Sequence, residues 1–220
     1  MDDFTQADDE LTLGFNTGFS RQQRQDISDW LLYAQNQADA QVDRSQSSQD
    51  WSTWMAVHED ALAHTGGFQI NRVLDSRKHV TSLGEEFIFD FQIYGGLEDE
   101  YLQRLGDSVM QIADLPRMIG LTSDFLHGRS EVKFGRYKHA VIDQDARGQT
   151  VIMVYAVQLH TESKPGSFLL GTPKRRRAII STGGATYEFD TEVFAEHREQ
   201  IRHDLTRAIK ARVRYLELKR

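Results

Sequence analysis

TVIMVYAVQL, residues 150–159, is the stretch on which the fold turns. A strand with one wet face alternates apolar and polar side chains. Here Val151, Ile152, Met153, Val154, Tyr155, Ala156 and Val157 leave almost no polar position. Such a run suits a strand covered by protein on both faces. It predicts a sheet wrapped by helices.

Turn signals bracket this strand. Upstream, residues 131–141 read as a strand, and Asp143-Gln144-Asp145-Ala146-Arg147-Gly148 as the turn joining the two. Downstream, Pro165-Gly166 marks another turn, and residues 168–170 and 177–181 supply further strand material. Gly183-Gly184 reads as a tight connection to a strand at 186–189. A last helix is expected over 191–211, with Val193, Phe194, Ile201, Leu205 and Ile209 facing the sheet. Val213, Tyr215 and Leu218 then alternate, as in a short closing strand.

The N-terminal half is helical in pattern. Residues 1–19 are polar and read as a loose arm, with Phe4, Leu11, Leu13, Phe15 and Phe19 available for docking. Ser20 with Gln23 three residues later forms a capping box. The helix after it carries Ile27, Trp30, Leu31, Ala34 and Ala38 at helical spacing. A polar loop at 43–50 leads to a second helix over 51–64, with Trp51, Trp54, Met55, Val57 and Leu62 as burial candidates. Thr65-Gly66-Gly67 ends that helix, because glycine accepts a left-handed backbone. The short link predicts an antiparallel helical hairpin. Phe68, Ile70 and Val73 suggest a strand. Residues 85–94 fit a strand or a helix equally. A helix over 98–115 presents Tyr101, Leu105, Val109 and Ile112, and Pro116 stops it.

The expected fold is α+β: an antiparallel β-sheet flanked by helices, with an N-terminal helical hairpin and a long C-terminal helix. The arm over 1–19 precedes one domain over 20–220, helical at 20–126, mainly β at 130–190, and closing on the helix at 191–211.

Composition supports a globular chain: 220 residues, 39% hydrophobic and 27% charged. The lack of cysteine excludes disulfides, thiolate metal sites and cysteine nucleophiles. The start, Met1-Asp2-Asp3-Phe4, is acidic and carries no secretory pattern. The expected location is cytoplasmic, or outside the cell after export without a cleavable signal peptide. The net charge of -7 is uneven. Residues 1–66 hold twelve acidic and three basic residues, whereas residues 174–220 hold twelve basic and seven acidic. Such ends attract each other within one molecule or between copies, or remain two solvated faces.

Motifs for chemistry are sparse. His58 and His64 lie six residues apart, not the four that would bring both to one metal on a helix, and read as surface residues. His197 and His203 repeat that spacing, and Glu199 stands four residues before His203 as a surface pair. His139 and His160 converge only if their strands pair and both side chains share a face. Asp143, Asp145 and Gly148 resemble fragments of a calcium loop but lack its further ligands. Gly183-Gly184 belongs to no phosphate loop. Lys174, Arg175, Arg176 and Arg177 form the densest positive cluster, a candidate anion or partner contact or a guard on a sheet edge.

The segments FSRQQRQDISDWLLYAQNQAD, DWSTWMAVHEDALAHTGGFQI, VIDQDARGQTVIMVYAVQL and RRRAIISTGGATYEFDTEVFAEHREQIRHDLTRAIKARVRYLEL together resemble a family of small α+β proteins of bacteria and fungi, over about residues 19–218. Through that resemblance residues 85–94 lean helical. VYAVQLHTESKPGSFLL and IISTGGATYEFDTEVF are more distantly similar to the Cyt-type δ-endotoxins and the related Evf virulence factor. That likeness implies a sheet between helical layers and contact with membranes, although the cysteine acylated in Evf has no counterpart here.

The functional expectation is a non-enzymatic protein that acts through its surface, by self-association or by binding a protein partner. A toxin-like or membrane-active effector is the alternative, and a metal-assisted enzyme using converged histidines the third. No cofactor and no nucleic acid are expected, since the overall charge is acidic and no aromatic-basic platform occurs.

Overall fold

A computed structural model describes residues 8–16, 18–42, 50–80, 100–112, 134–162, 177–207 and 212–217. In chain order the elements are β1 (Asp8–Phe15), α1 (Arg21–Gln41), α2 (Trp51–His64), β2 (Gly67–Val80), α3 (Glu100–Ile112), β3 (Phe134–Gln144), β4 (Thr150–Glu162), β5 (Arg177–Phe189), α4 (Thr191–Arg207) and β6 (Arg212–Glu217). The strands form one six-stranded sheet in the order β2-β5-β4-β3-β1-β6.

β4 lies inside this sheet, and the expected double burial follows from the two-residue period of a strand. Ile152 and Val154 pack with α1, α2 and α4, in a core that includes Trp30, Leu62, Phe194 and Ile201. Their neighbours Val151, Met153, Tyr155, Val157 and Leu159 point the other way and pack with Leu105, Val109 and Ile112 of α3. Thus three helices cover one face and α3 lies on the other. Burial pushes the Tyr155 phenol above its ordinary pKa.

The fold class is α+β, but the sheet is mixed and not antiparallel throughout. The successive pairs β2–β5, β5–β4 and β4–β3 are antiparallel, whereas β1 pairs parallel with both β3 and β6. The loose arm is replaced over residues 8–15 by β1 itself. Leu11, Leu13 and Phe15 are fully buried there, and the alternation in LTLGF is that of a strand set among polar neighbours.

The Gly183-Gly184 turn is also overturned. β5 passes straight through both glycines. A Cβ on Gly184 would stand 2.1 Å from the Val154 carbonyl oxygen. The glycine therefore marks a close backbone approach, not a reversal.

Helix ends follow their caps. Ser20 Oγ accepts from the Gln23 amide at 3.2 Å, and the Gln23 side chain accepts from the Ser20 amide at 2.9 Å. Asp190 Oδ1 accepts the amides of Glu192 and Val193 and so starts α4. α1 and α2 run antiparallel: Trp30, midway along α1, donates to the Leu62 carbonyl, late in α2, while Asp39 near the end of α1 accepts from Trp54 near the start of α2. Gly66 holds φ 110° at the exit of α2, as the glycine stop required. Val193, expected to be buried, is exposed. Residues 85–94, the turn at 163–167, the strand material at 168–170, and Ile209 and Leu218 lie outside the described residues.

Candidate functional site: a groove on the α3 face

Among the described residues, a groove of about 1050 Å³ opens beside α3 on its face of the sheet. Tyr101, Leu102 and Leu105 of α3 form one wall, Val151 of β4 the floor, and Ile70 of β2 the far side. The β3–β4 turn closes one end. There Asp145 Oδ1 accepts the amides of Arg147 and Gln149, which locks the turn, with Gly148 at φ 79°. Arg147 bridges Asp145 at 2.8 Å and Glu188 at 2.7 Å. The groove therefore mixes apolar side chains of α3, β2 and β4 with polar residues and a rim carrying both signs of charge.

Two large apolar side chains of β2 are exposed on this side. Phe68 is 69% exposed and Ile70 41%. Phe68 is paired with Glu188, another groove residue, and so points to the α3 face. β2 is an edge of the sheet, and register shifts at Gln69/Asn71 and Val73/Ser76 interrupt its ladder with β5. Bulges of this kind hinder strand addition. The accessible feature is the side-chain shelf, not the backbone edge.

On the opposite face, α2 covers a buried polar cluster. Arg136 and Lys138 of β3 are each 1% exposed. The Arg136 guanidinium donates to Asp39 of α1 and, at 3.0 Å, to Gln158 of β4. It also lies 4.1 Å from the centre of the Trp54 ring, with the Lys138 ammonium 5.7 Å away. Trp51, Trp54 and His58 stack in series along α2. Burial, helped by the Lys138 charge, lowers the His58 pKa to about 3.

The acidic head and basic tail meet within the molecule. Arg198 of α4 grips both carboxylate oxygens of Asp26 at 3.0 and 2.9 Å. Arg202 reaches Asp29 at 3.2 Å and Asp26 at 3.3 Å. A smaller crevice of about 470 Å³ lies beside this clamp, over Leu32, Leu205, Val213 and Tyr215.

The residues flagged in the sequence fare differently. His139 is paired with Tyr155 and shares its α3 face; His160 shares the face of Gln158, under α2. They therefore lie on opposite faces and do not converge. His58 is buried, not on the surface, because Trp54 and the β3 cations enclose it. His64 is exposed and meets Asp60. His203 stands 3.6 Å from Asp204, and its expected pairing with Glu199 is absent among the described contacts. Among the described residues no group of three or more His, Cys, Asp or Glu is placed to hold a metal ion. Lys174, Arg175 and Arg176 lie outside the described residues. Arg177 opens β5, opposite Glu162 of β4. Among the described residues no helix is long and apolar enough to cross a membrane.

No family model matches the chain. No curated protein matches it. Among solved structures, that of the Evf virulence factor aligns with a TM-score of 0.43 at 12% sequence identity, covering 95% of this chain and 85% of that one.

Proposed function

We propose that the protein acts through its surface, by self-association on the α3 face, and not by chemistry on a small substrate. The carrying observation is that Phe68 and Ile70 of β2 are both exposed, Ile70 lining the groove and Phe68 sharing the face of its rim residue Glu188. Large apolar side chains exposed beside a concave surface are the kind of feature that marks protein contact sites. The mixed-sign rim of Arg147, Glu188 and Asp145 would give such contacts orientation more than strength. A two-fold arrangement is the natural form, because each copy would offer both shelf and groove.

Sedimentation velocity over a wide concentration range tests this reading. The wild-type chain is expected to shift to a dimer. A Phe68→Asp, Ile70→Asp double variant is expected to remain folded and to weaken association about 100-fold or more, since two buried apolar side chains of this size are worth about 3 kcal/mol or more. A strict monomer at every concentration defeats the self-association reading. Binding of the wild-type chain to anionic vesicles in preference to the variant would favour the membrane-active alternative.

A further inference from the structure

We propose that the first three turns of α2 form an acid-released element: protonation of His58 drives them off the sheet while the α1–α4 half of the core stays folded. This goes beyond the association surface and rests on the opposite face of the sheet.

The geometry supplies the driving force. His58 is buried, and its Nε2 finds no hydrogen-bond partner. The groups around it are mainly cationic. β3 contributes Arg136 and Lys138, and α1 contributes the carboxylate of Asp39. β4 contributes neutral Gln158 and, beyond it on the same face, His160. On α2 itself the next residue, Glu59, is engaged with Arg72 of β2 at 3.2 Å. A proton on His58 would add a third cation to a cluster whose nearest carboxylate already serves Arg136 and Trp54. Charge confined without water is costly, and the least costly response is to open the cover.

The packing makes that cover separable. Trp51, Trp54 and Met55 form a small core with Ala38, Val42 and Ala156, apart from the main core of α1 and α4. The far end of α2 is pinned by the Trp30 bond to the Leu62 carbonyl and by Gly66. The charged clamp of Asp26 and Asp29 with Arg198 and Arg202 does not involve α2. The pivot therefore lies near Leu62, and release uncovers the stacked face of Trp51 and Trp54.

The sign follows from linkage. The folded helix disfavours the proton, so closure is fully favoured above the ordinary histidine value and is lost as pH falls below it. With the pKa lowered from 6.5 to about 3, the opening constant is expected to rise about 25-fold between pH 7 and pH 5.

Peptide-resolved hydrogen exchange on the full chain, corrected for the intrinsic pH dependence of exchange, tests this. Protection in residues 51–61 is expected to fall about 25-fold at pH 5. Protection in α1 and β4 should hold. His58→Phe keeps the stack on Trp54 without a titrating nitrogen and should abolish the loss; His58→Gln serves as a second, smaller replacement if the phenyl ring does not fit. The proposal is overturned if either folded variant shows the same loss, or if α1 and β4 lose protection in step with α2.

Discussion

Gly184→Val is expected to abolish the folded state or to lower its urea midpoint by more than half. Gly184 lies on β5 opposite Tyr155, in the interior of the sheet. Its Cβ position is 2.1 Å from the Val154 oxygen and 3.0 Å from the Tyr155 Cα, and both of these are backbone atoms. A flexible side chain can swing aside, but a hydrogen-bonded strand cannot. Relief requires β4 and β5 to separate, which breaks ladder bonds and disturbs both cores together. Ordinary overpacking costs about 1–3 kcal/mol, and a clash with fixed backbone exceeds that range. Against a total stability of about 5–15 kcal/mol the loss is decisive. Gly184→Ala provides the graded measurement. Its unfolding in urea should show a loss of about 3 kcal/mol or more with an unchanged slope. A near-neutral alanine would mean that the two strands are not in this register.

Arg136→Ala is expected to cost about 3–5 kcal/mol, the range for breaking a buried ion pair. The guanidinium meets Asp39, Gln158 and the Trp54 ring at once. Removing it leaves the Asp39 carboxylate, only 9% exposed, beside Trp54 without its cation. Arg136→Lys should also lose stability, because an ammonium cannot reproduce the planar fork and the stack. The informative comparison is Arg136→Met with Asp39→Leu. Each single change strands a charge, whereas the pair removes both, so the double variant should be more stable than the sum of the singles requires. Chemical denaturation of the four species gives the coupling. Strict additivity would show that the two groups do not interact.

The sequence disclosed the architecture better than the sites. TVIMVYAVQL is apolar at both parities, and the double cover of β4 follows from that alone. Ser20 and Gln23 announced α1 because a capping box is a local, chain-contiguous device. Where long-range contacts decide, the reading failed. LTLGF in β1 is a short alternating run, and its parallel pairing with β3 brings together residues far apart in the chain. Gly183-Gly184 has the same composition as a turn, and only the approach of Val154 reveals its purpose.

The candidate site was less legible still. GRYKHA in β3 places Arg136 and Lys138 on one face, which a pattern reading treats as wet until α2 is seen to cover it. His58 falls on the same side of α2 as Trp51 and Trp54, and that spacing was the available signal for its burial. Phe68 and Ile70 alternate with Gln69 and Asn71, but alternation does not reveal which face α3 leaves uncovered. The charge asymmetry was visible, and part of it is spent inside the molecule, between Asp26, Asp29, Arg198 and Arg202.

Hydroxyl-radical footprinting at low and high protein concentration addresses the roofed sheet and its bare shelf in one measurement. Relative to intrinsic reactivity, Met153, Tyr155 and Tyr187 should be protected throughout, and Phe68 and Tyr215 labelled in the dilute chain. On concentration, labelling of Phe68 should fall while that of Tyr215, on the other edge, persists. Labelling of Met153 and Tyr155 at the level of Phe68, or a Phe68 signal that is the same at every concentration, would contradict the account.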